Sequence, residues 1–236
     1  MVEEIRRLTA FHAAWTRRLT ENPPAPRFPD QLFPPLLSIN SWRPEVAEAA
    51  LPRWGDILND IGALPDDRNA RICARTGAAL LIMHSVGEPK IPHTHVTWRN
   101  IMAEMAAFFE QKIALATAAG LPAQAIILDP GIDFAKQREA NLTILARSAE
   151  LNAFGRPVLL PVSRKTVIGD VLRLDSPTAR DPGTVACIAA GCQRGAAIFR
   201  VHNVRAAAES VRLIHAATAF PPSSPPGIHC PRPLPQ

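Results

Sequence analysis

Short apolar runs alternate with longer amphipathic stretches along most of this chain. From residue 36 onward the runs are "LLSIN" (36–40), "DILND" (56–60), "AALLIMH" (78–84), "AIILD" (125–129), "PVLLPV" (157–162) and "AAIFRV" (196–201). Each is four to eight residues long and nearly continuous, which reads as a buried strand. Between them lie helical patterns. "PEVAEAALPR" carries Pro44 in its first turn, where a missing N–H costs nothing. Residues 66–76 form the next helix. Residues 98–120 form a long one, with a stripe of Ile101, Met105, Phe108 (or Phe109) and Ile113 and a stop at Gly120. Further helices are expected over 139–153, 166–173, 183–193 and 205–219. Ahead of this region, residues 2–20 repeat apolar positions every three to four residues as an amphipathic helix. The segment "ENPPAPRFPDQLFPP" then excludes both helix and central strand.

Strands that alternate with helices build parallel β/α units, and six such units are present. A doubly wound sheet accommodates six, whereas a (β/α)8 barrel has eight and carries its sites at the C-terminal ends of the strands. In either fold one rim collects Asn40, Asn59, Asp60, His84, Asp129, Ser163, Lys165, Arg200 and His202.

Composition narrows the choice only slightly. The chain of 236 residues is 47% hydrophobic and 20% charged, enough for one sizeable core. A net charge of +5 without a block of like charges argues against a nucleic-acid partner. A pocket for an anionic small molecule explains it equally well. Cys73, Cys187, Cys192 and Cys230 form no C-x-x-C pair and read as thiols of a reducing cytoplasm. The charged start "MVEEIRRLTAF" lacks the apolar region of a signal peptide, and no run of 18 apolar residues suggests a membrane span.

Three strands end in chemistry. "ILDPGIDFAK" places Asp129 after a greasy run, where a buried carboxylate is expensive unless something uses it. By itself Asp129 also reads as a turn residue before Pro130 and Gly131. "PVSRKTVIG" ends in Ser163, Arg164 and Lys165; a lysine at a helix start opposes the helix dipole. "FRVHNV" puts Arg200 and His202 two apart, hence on one face, where two donors suit an anion. His202 reads equally as a structural histidine. The pair His93 and His95 has no third ligand nearby in sequence and reads as surface.

In this order, "ILDPGIDFAK", "PVSRKTVIG" and "FRVHNV" resemble the bacterial dihydropteroate synthases of folate synthesis. "INSWRPEVAEAAL", "DILNDIGAL" and "LLIMHSVGEPK" extend the likeness over residues 36–218. The resemblance implies a (β/α)8 TIM-barrel fold, here incomplete with six parallel strands, plus the N-terminal helix. It implies condensation of a hydroxymethyl-dihydropterin pyrophosphate with p-aminobenzoate, Mg2+ assistance, a cytoplasmic enzyme and a homodimer. Asn59 and Asp129 would then read the pterin edge. Lys165 would lie on the pterin face near the incoming amine. Arg200 would stack on the pterin and, with His202, grip the pyrophosphate. Phe134 and Ser163 would line the p-aminobenzoate side. The chemistry needs no covalent nucleophile, because the ring stabilises the methylene cation left by the departing pyrophosphate.

The same resemblance exposes departures. The family's first two loops have no counterpart, which removes the usual protein ligand for Mg2+. Asn40 stands where the family carries an aspartate expected to stabilise the cationic pterin. Asp133, Ala135 and Pro161 replace glycines. The expected organisation is a helix and proline-rich linker over 1–35, a pterin-binding barrel over 36–219 and a disordered proline-rich tail over 220–236. Three readings remain: a synthase, a non-catalytic homologue that binds a pterin or a protein, and a pterin-dependent methyltransferase.

Overall fold

The computed structural model describes residues 36–218, except 90, 92 and 94. The expected helix at 2–20, the proline-rich linker and the tail lie outside the described residues. The strands are β1 (Ser38–Asn40), β2 (Ile57–Asp60), β3 (Ala79–Met83), β4 (Ile126–Asp129), β5 (Leu159–Leu160) and β6 (Ile198–Phe199). The helices are α1 (Pro44–Trp54), α2 (Arg68–Thr76), α3 (Ile101–Ala118), α4 (Arg138–Arg147), α5 (Thr166–Leu172), α6 (Asp181–Gln193) and α7 (Val204–Thr218).

Local chemistry sets these bounds. Pro44 opens α1, and Gly77 ends α2 in the left-handed region at φ +77°. Asn100 caps α3 by accepting the Ala103 N–H at 3.2 Å, while Glu104 accepts the Asn100 N–H at 3.0 Å. The expected helix at 139–153 divides into α4 and a 3-10 turn over Ser148–Phe154. β5 and β6 are much shorter than the apolar runs that contain them. Pro157 and Pro161 flank β5 and donate no ladder hydrogen bond.

All pairings are parallel and follow chain order. β1 to β4 form one sheet, β5 pairs with β6, and a bridge from Leu128 to Val158 joins the two. A doubly wound sheet reverses strand order at a switch point, and no reversal occurs here. With crossovers of constant hand, sequential order puts every helix on one side and curves the sheet into an arc of a β/α barrel. Among the described residues β1 pairs only with β2 and β6 only with β5, so these are the edges of the arc.

Each strand face has its own core. The helix-facing side buries Leu58, Leu80, Ile82, Ile126 and Leu128 against Met105, Phe109 and Ile144. The concave side packs Leu81, Met83 and Ile127 with the half-buried Ile57, Leu159 and Ile198. In the α3 stripe, Phe109 is fully buried while Phe108 is only partly covered.

Candidate active site

Register decides which strand ends face the interior. In a parallel pair, partnered residues share a face. Asn40 is partnered with Asn59, Asn59 with Leu81, Leu81 with Ile127, and Met83 with Asp129. Asn40, Asn59 and Asp129 therefore lie on the concave side, with Leu81 and Met83 between them. Arg200 and His202 continue the alternation of Ile198.

Adjacent residues cannot share that face, and this corrects the rim drawn from sequence. Asp60 is turned to the helices: it accepts the Gly62 N–H at 2.8 Å and the Asn69 side-chain amide at 2.8 Å. His84 is also turned outward, against Trp98, Phe108 and Phe109. Burial there pushes its pKa down to about 3, so it is neutral. Neither belongs to the site.

Asp129 is 5% exposed. One carboxylate oxygen accepts the Gly131 N–H at 2.7 Å. Burial raises its pKa to about 6; the Gly131 N–H, Lys165, Lys136 and Arg200 each pull it back. This carboxylate is a buried acceptor with three cations around it. Asn59 supplies an unmet group, since its Oδ1 is buried without a partner. Such an orphan costs about 1–3 kcal/mol unless a bound molecule satisfies it.

Gly131 makes the site possible. It sits at φ +64°, and a Cβ there would come within 2.2 Å of the His84 carbonyl oxygen. The close approach folds the loop after β4 back over the end of β3. Lys136 then reaches inward and donates to the carbonyls of His84 and Phe134, each at 2.9 Å. Burial drives its pKa down to about 7, opposed by Asp129. Sequence reading assigned Lys136 no role. It stands inside the quoted "ILDPGIDFAK", but only the folded loop shows that the lysine is buried.

Lys165 donates to the Ile132 carbonyl at 2.8 Å and lies 4.7 Å from the centre of the Phe134 ring. Burial lowers its pKa; Asp133 and then Asp129 raise it. Ser163 bonds His202 twice: its hydroxyl accepts the His202 N–H at 3.0 Å and pairs with Nδ1 at 2.9 Å. His202 is exposed; slight desolvation, then Arg200 and Arg164, holds its pKa below its ordinary value. Arg164 is left-handed at φ +57° and is fixed by Asp181 at 2.7 and 3.0 Å. That ion pair spans the bases of the two loops carrying Lys165 and His202, since Asn203 also donates to Asp181 at 3.2 Å. Asp129, Phe134, Ser163, Lys165, Arg200 and His202 thus converge. Asn40 shares their face but is exposed at the edge strand.

His93 and His95 stand edge to face, 6.1 Å between ring centres, and His93 is within 3.1 Å of the Glu88 carbonyl. Among the described residues no group of three His, Cys, Asp or Glu side chains could hold a metal ion.

A family model described as pterin binding enzyme matches residues 27–202. The chain belongs to the pterin-binding enzymes. It is 33% identical over 186 residues to the dihydropteroate synthase of Escherichia coli strain K12, covering 79% of this chain and 66% of that one. The chain therefore spans just under two thirds of that curated relative. Among solved structures, dihydropteroate synthase from Stenotrophomonas maltophilia aligns with a TM-score of 0.77 and 32% identity over 80% of this chain and 72% of that one. The Thermus thermophilus synthase in complex with 6HMPPP gives 0.74 and 38% identity over 78% and 72%. The same enzyme in complex with 4-aminobenzoate gives 0.73 and 38% identity over 77% and 70%. Asp129, Lys165 and Arg200 of this pterin-binding enzyme stand at strand ends, where a barrel carries its site.

Proposed function

We propose that this chain is a dihydropteroate synthase that joins a hydroxymethyl-dihydropterin pyrophosphate to p-aminobenzoate. The observation that carries the reading is the pair of acceptors on the concave face, the buried Asp129 carboxylate and the partnerless Asn59 amide oxygen. A flat ring with adjacent N–H donors satisfies both at once. Arg200 and His202, with His202 oriented by Ser163, supply donors for an anionic leaving group. Lys165 lies over the Phe134 ring, and the resemblance assigns it to the side where the amine would enter. The bond from the methylene carbon to the pyrophosphate oxygen breaks, and the bond to the aniline nitrogen forms. These residues bind, orient and neutralise charge. Mg2+ assistance rests on the resemblance alone, and no step is routed through it.

Cytoplasmic residence belongs to the same reading and is supported by free thiols at Cys73, Cys187 and Cys192. No helix among the described residues is long and apolar enough to cross a membrane. The expected homodimer rests on the resemblance alone. The relatives named above are synthases, which disfavours methyl transfer. A pterin-binding chain without turnover remains the second reading, favoured by the neutral Asn40 at the exposed edge. An assay of dihydropteroate formation from both substrates, paired with calorimetry of pterin binding, separates the two. Binding with turnover supports the synthase, binding alone supports the second reading, and absence of both overturns each.

A further inference from the structure

We propose that Asp133 is a positioning residue for Lys165, clamping the loop after β4 to the first turn of α5 and acting as counter-charge to the Lys165 ammonium. The proposal rests on the functional reading above only for what Lys165 does, not for how it is held.

Asp133 stands at φ +67°, in the left-handed region that favours glycine. An aspartate tolerates that conformation at some strain, and the residue makes three connections, two of them through its carboxylate. One carboxylate oxygen accepts the N–H of Thr166, the residue directly after Lys165. The other accepts the Asn141 side-chain amide at 2.9 Å, while the Asp133 N–H donates to the Asn141 oxygen at 2.9 Å. The loop is thereby fixed to α4 and α5 together.

Lys165 is held by three consecutive residues of that loop. Its ammonium donates to the carbonyl of Ile132, is attracted by the carboxylate of Asp133, and lies on the ring of Phe134. Other charged groups face it. Asp129 on β4 attracts it more weakly than Asp133 does, and Arg200 opposes it. Lys136, on the same loop, repels it, and His202 beyond β6 also lies within its field. Without Asp133 the lysine keeps one weaker carboxylate against several cations. A glycine at this position would relieve the backbone but free the loop and remove the charge. Asp133 therefore trades backbone ease for a fixed lysine.

The test reads the lysine directly. Asp133→Gly and Asp133→Asn would be compared with the wild type by limited amine acetylation at pH 8, with peptide mass spectrometry resolving Lys165 from Lys90, Lys112 and Lys136. Loss of a close carboxylate favours the neutral, reactive amine, so Lys165 is expected to react roughly tenfold faster in Asp133→Gly. Asp133→Asn, which keeps an acceptor for the Thr166 N–H, should react faster than wild type but slower than the glycine variant. A residue that only clamps the loop predicts faster acetylation in Asp133→Gly, through exposure of the lysine, but unchanged reactivity in Asp133→Asn, which keeps the acceptor for the Thr166 N–H; wild-type reactivity of Lys165 in Asp133→Asn overturns the proposal. If the glycine variant fails to fold, the asparagine variant decides alone. Pterin affinity of the wild type is measured separately. Its absence would sink the functional reading while leaving the acetylation result to stand.

Discussion

The Lys136 ammonium donates to the carbonyl of His84, 52 residues earlier in the chain, at 2.9 Å. This bond pins the loop carrying Phe134 across the end of β3. Its cost is a buried cation whose folded pKa falls to about 7, below an unfolded value of about 10.4. Between those values the unfolded chain binds more protons, so stability rises with pH and is lost as pH falls toward 7. Lys136→Met should remove that dependence while leaving two carbonyls unpaired. Chemical denaturation at pH 7 and pH 9 is expected to show the wild type gaining more stability than the variant, by about 1–2 kcal/mol.

On the proposed function, Asp129 should give pterin binding its own pH dependence. N–H donors on a ring pair with the ionised carboxylate, and burial moves its titration to about 6. Raising a carboxylate pKa on folding also means that its contribution to stability is present below the unfolded value and is lost as pH rises through 6. Binding recovers that loss. Pterin affinity should weaken about tenfold from pH 7 to pH 5, following the ionised fraction. Asp129→Ala should cost roughly 1–3 kcal/mol of binding at pH 7 and flatten the profile. Calorimetry at both pH values checks each; equal affinity of wild type and variant would remove Asp129 from edge reading.

On the proposed function, Ser163 should connect binding to the leaving group. Its hydroxyl takes both the backbone N–H and Nδ1 of His202, so Ser163→Ala frees the imidazole without touching Asp129. Affinity for a pterin pyrophosphate should fall several-fold, about 1 kcal/mol for one lost orienting bond, while affinity for an uncharged hydroxymethyl-pterin stays unchanged. Equal losses for the two ligands would mean that Ser163 only supports the fold.

Much of this was legible in sequence, for identifiable reasons. The alternation of apolar runs and amphipathic stretches placed six strands and seven helices, because period and length are local properties. What was not legible was phase. "ILND" offers Asn59 and Asp60 at one strand end, and alternation says only that they part. The bonds of Asp60 to Gly62 and Asn69 decide which one leaves. His84 follows the same logic, since its aromatic surroundings come from α3, far along the chain. Lys136 was hidden for another reason: the burial of a lysine depends on the close approach at Gly131.

Ala135 tests the backbone of that loop. It holds φ +52°, a conformation that costs an L-residue roughly 1–2 kcal/mol. Ala135→Gly should relieve the strain and lose some of the gain to the greater freedom of the unfolded chain. Net stabilisation of about 1 kcal/mol is expected in denaturant titration. Gly131→Ala should behave oppositely, because its Cβ meets the His84 carbonyl oxygen. A loss of at least ~2 kcal/mol is expected.

Asn40 carries the sharpest test of catalysis. The resemblance expects an aspartate there, opposite a pterin that becomes cationic as pyrophosphate leaves. Asn40 is on the concave face, in register with Asn59, but it is exposed on the edge strand β1. Water therefore screens whatever charge is placed there. A unit charge about 4 Å from the reacting centre in a water-like dielectric is worth about 1 kcal/mol, roughly fivefold in rate. Asn40→Asp should raise the rate of dihydropteroate formation by about that factor. Pterin affinity should change little, since the ground-state ring is neutral. A gain of a hundredfold would require a site closed to water around position 40, as when further chain covers the β1 edge. No gain, with pterin binding intact, would favour the reading in which this chain binds a pterin without turning it over.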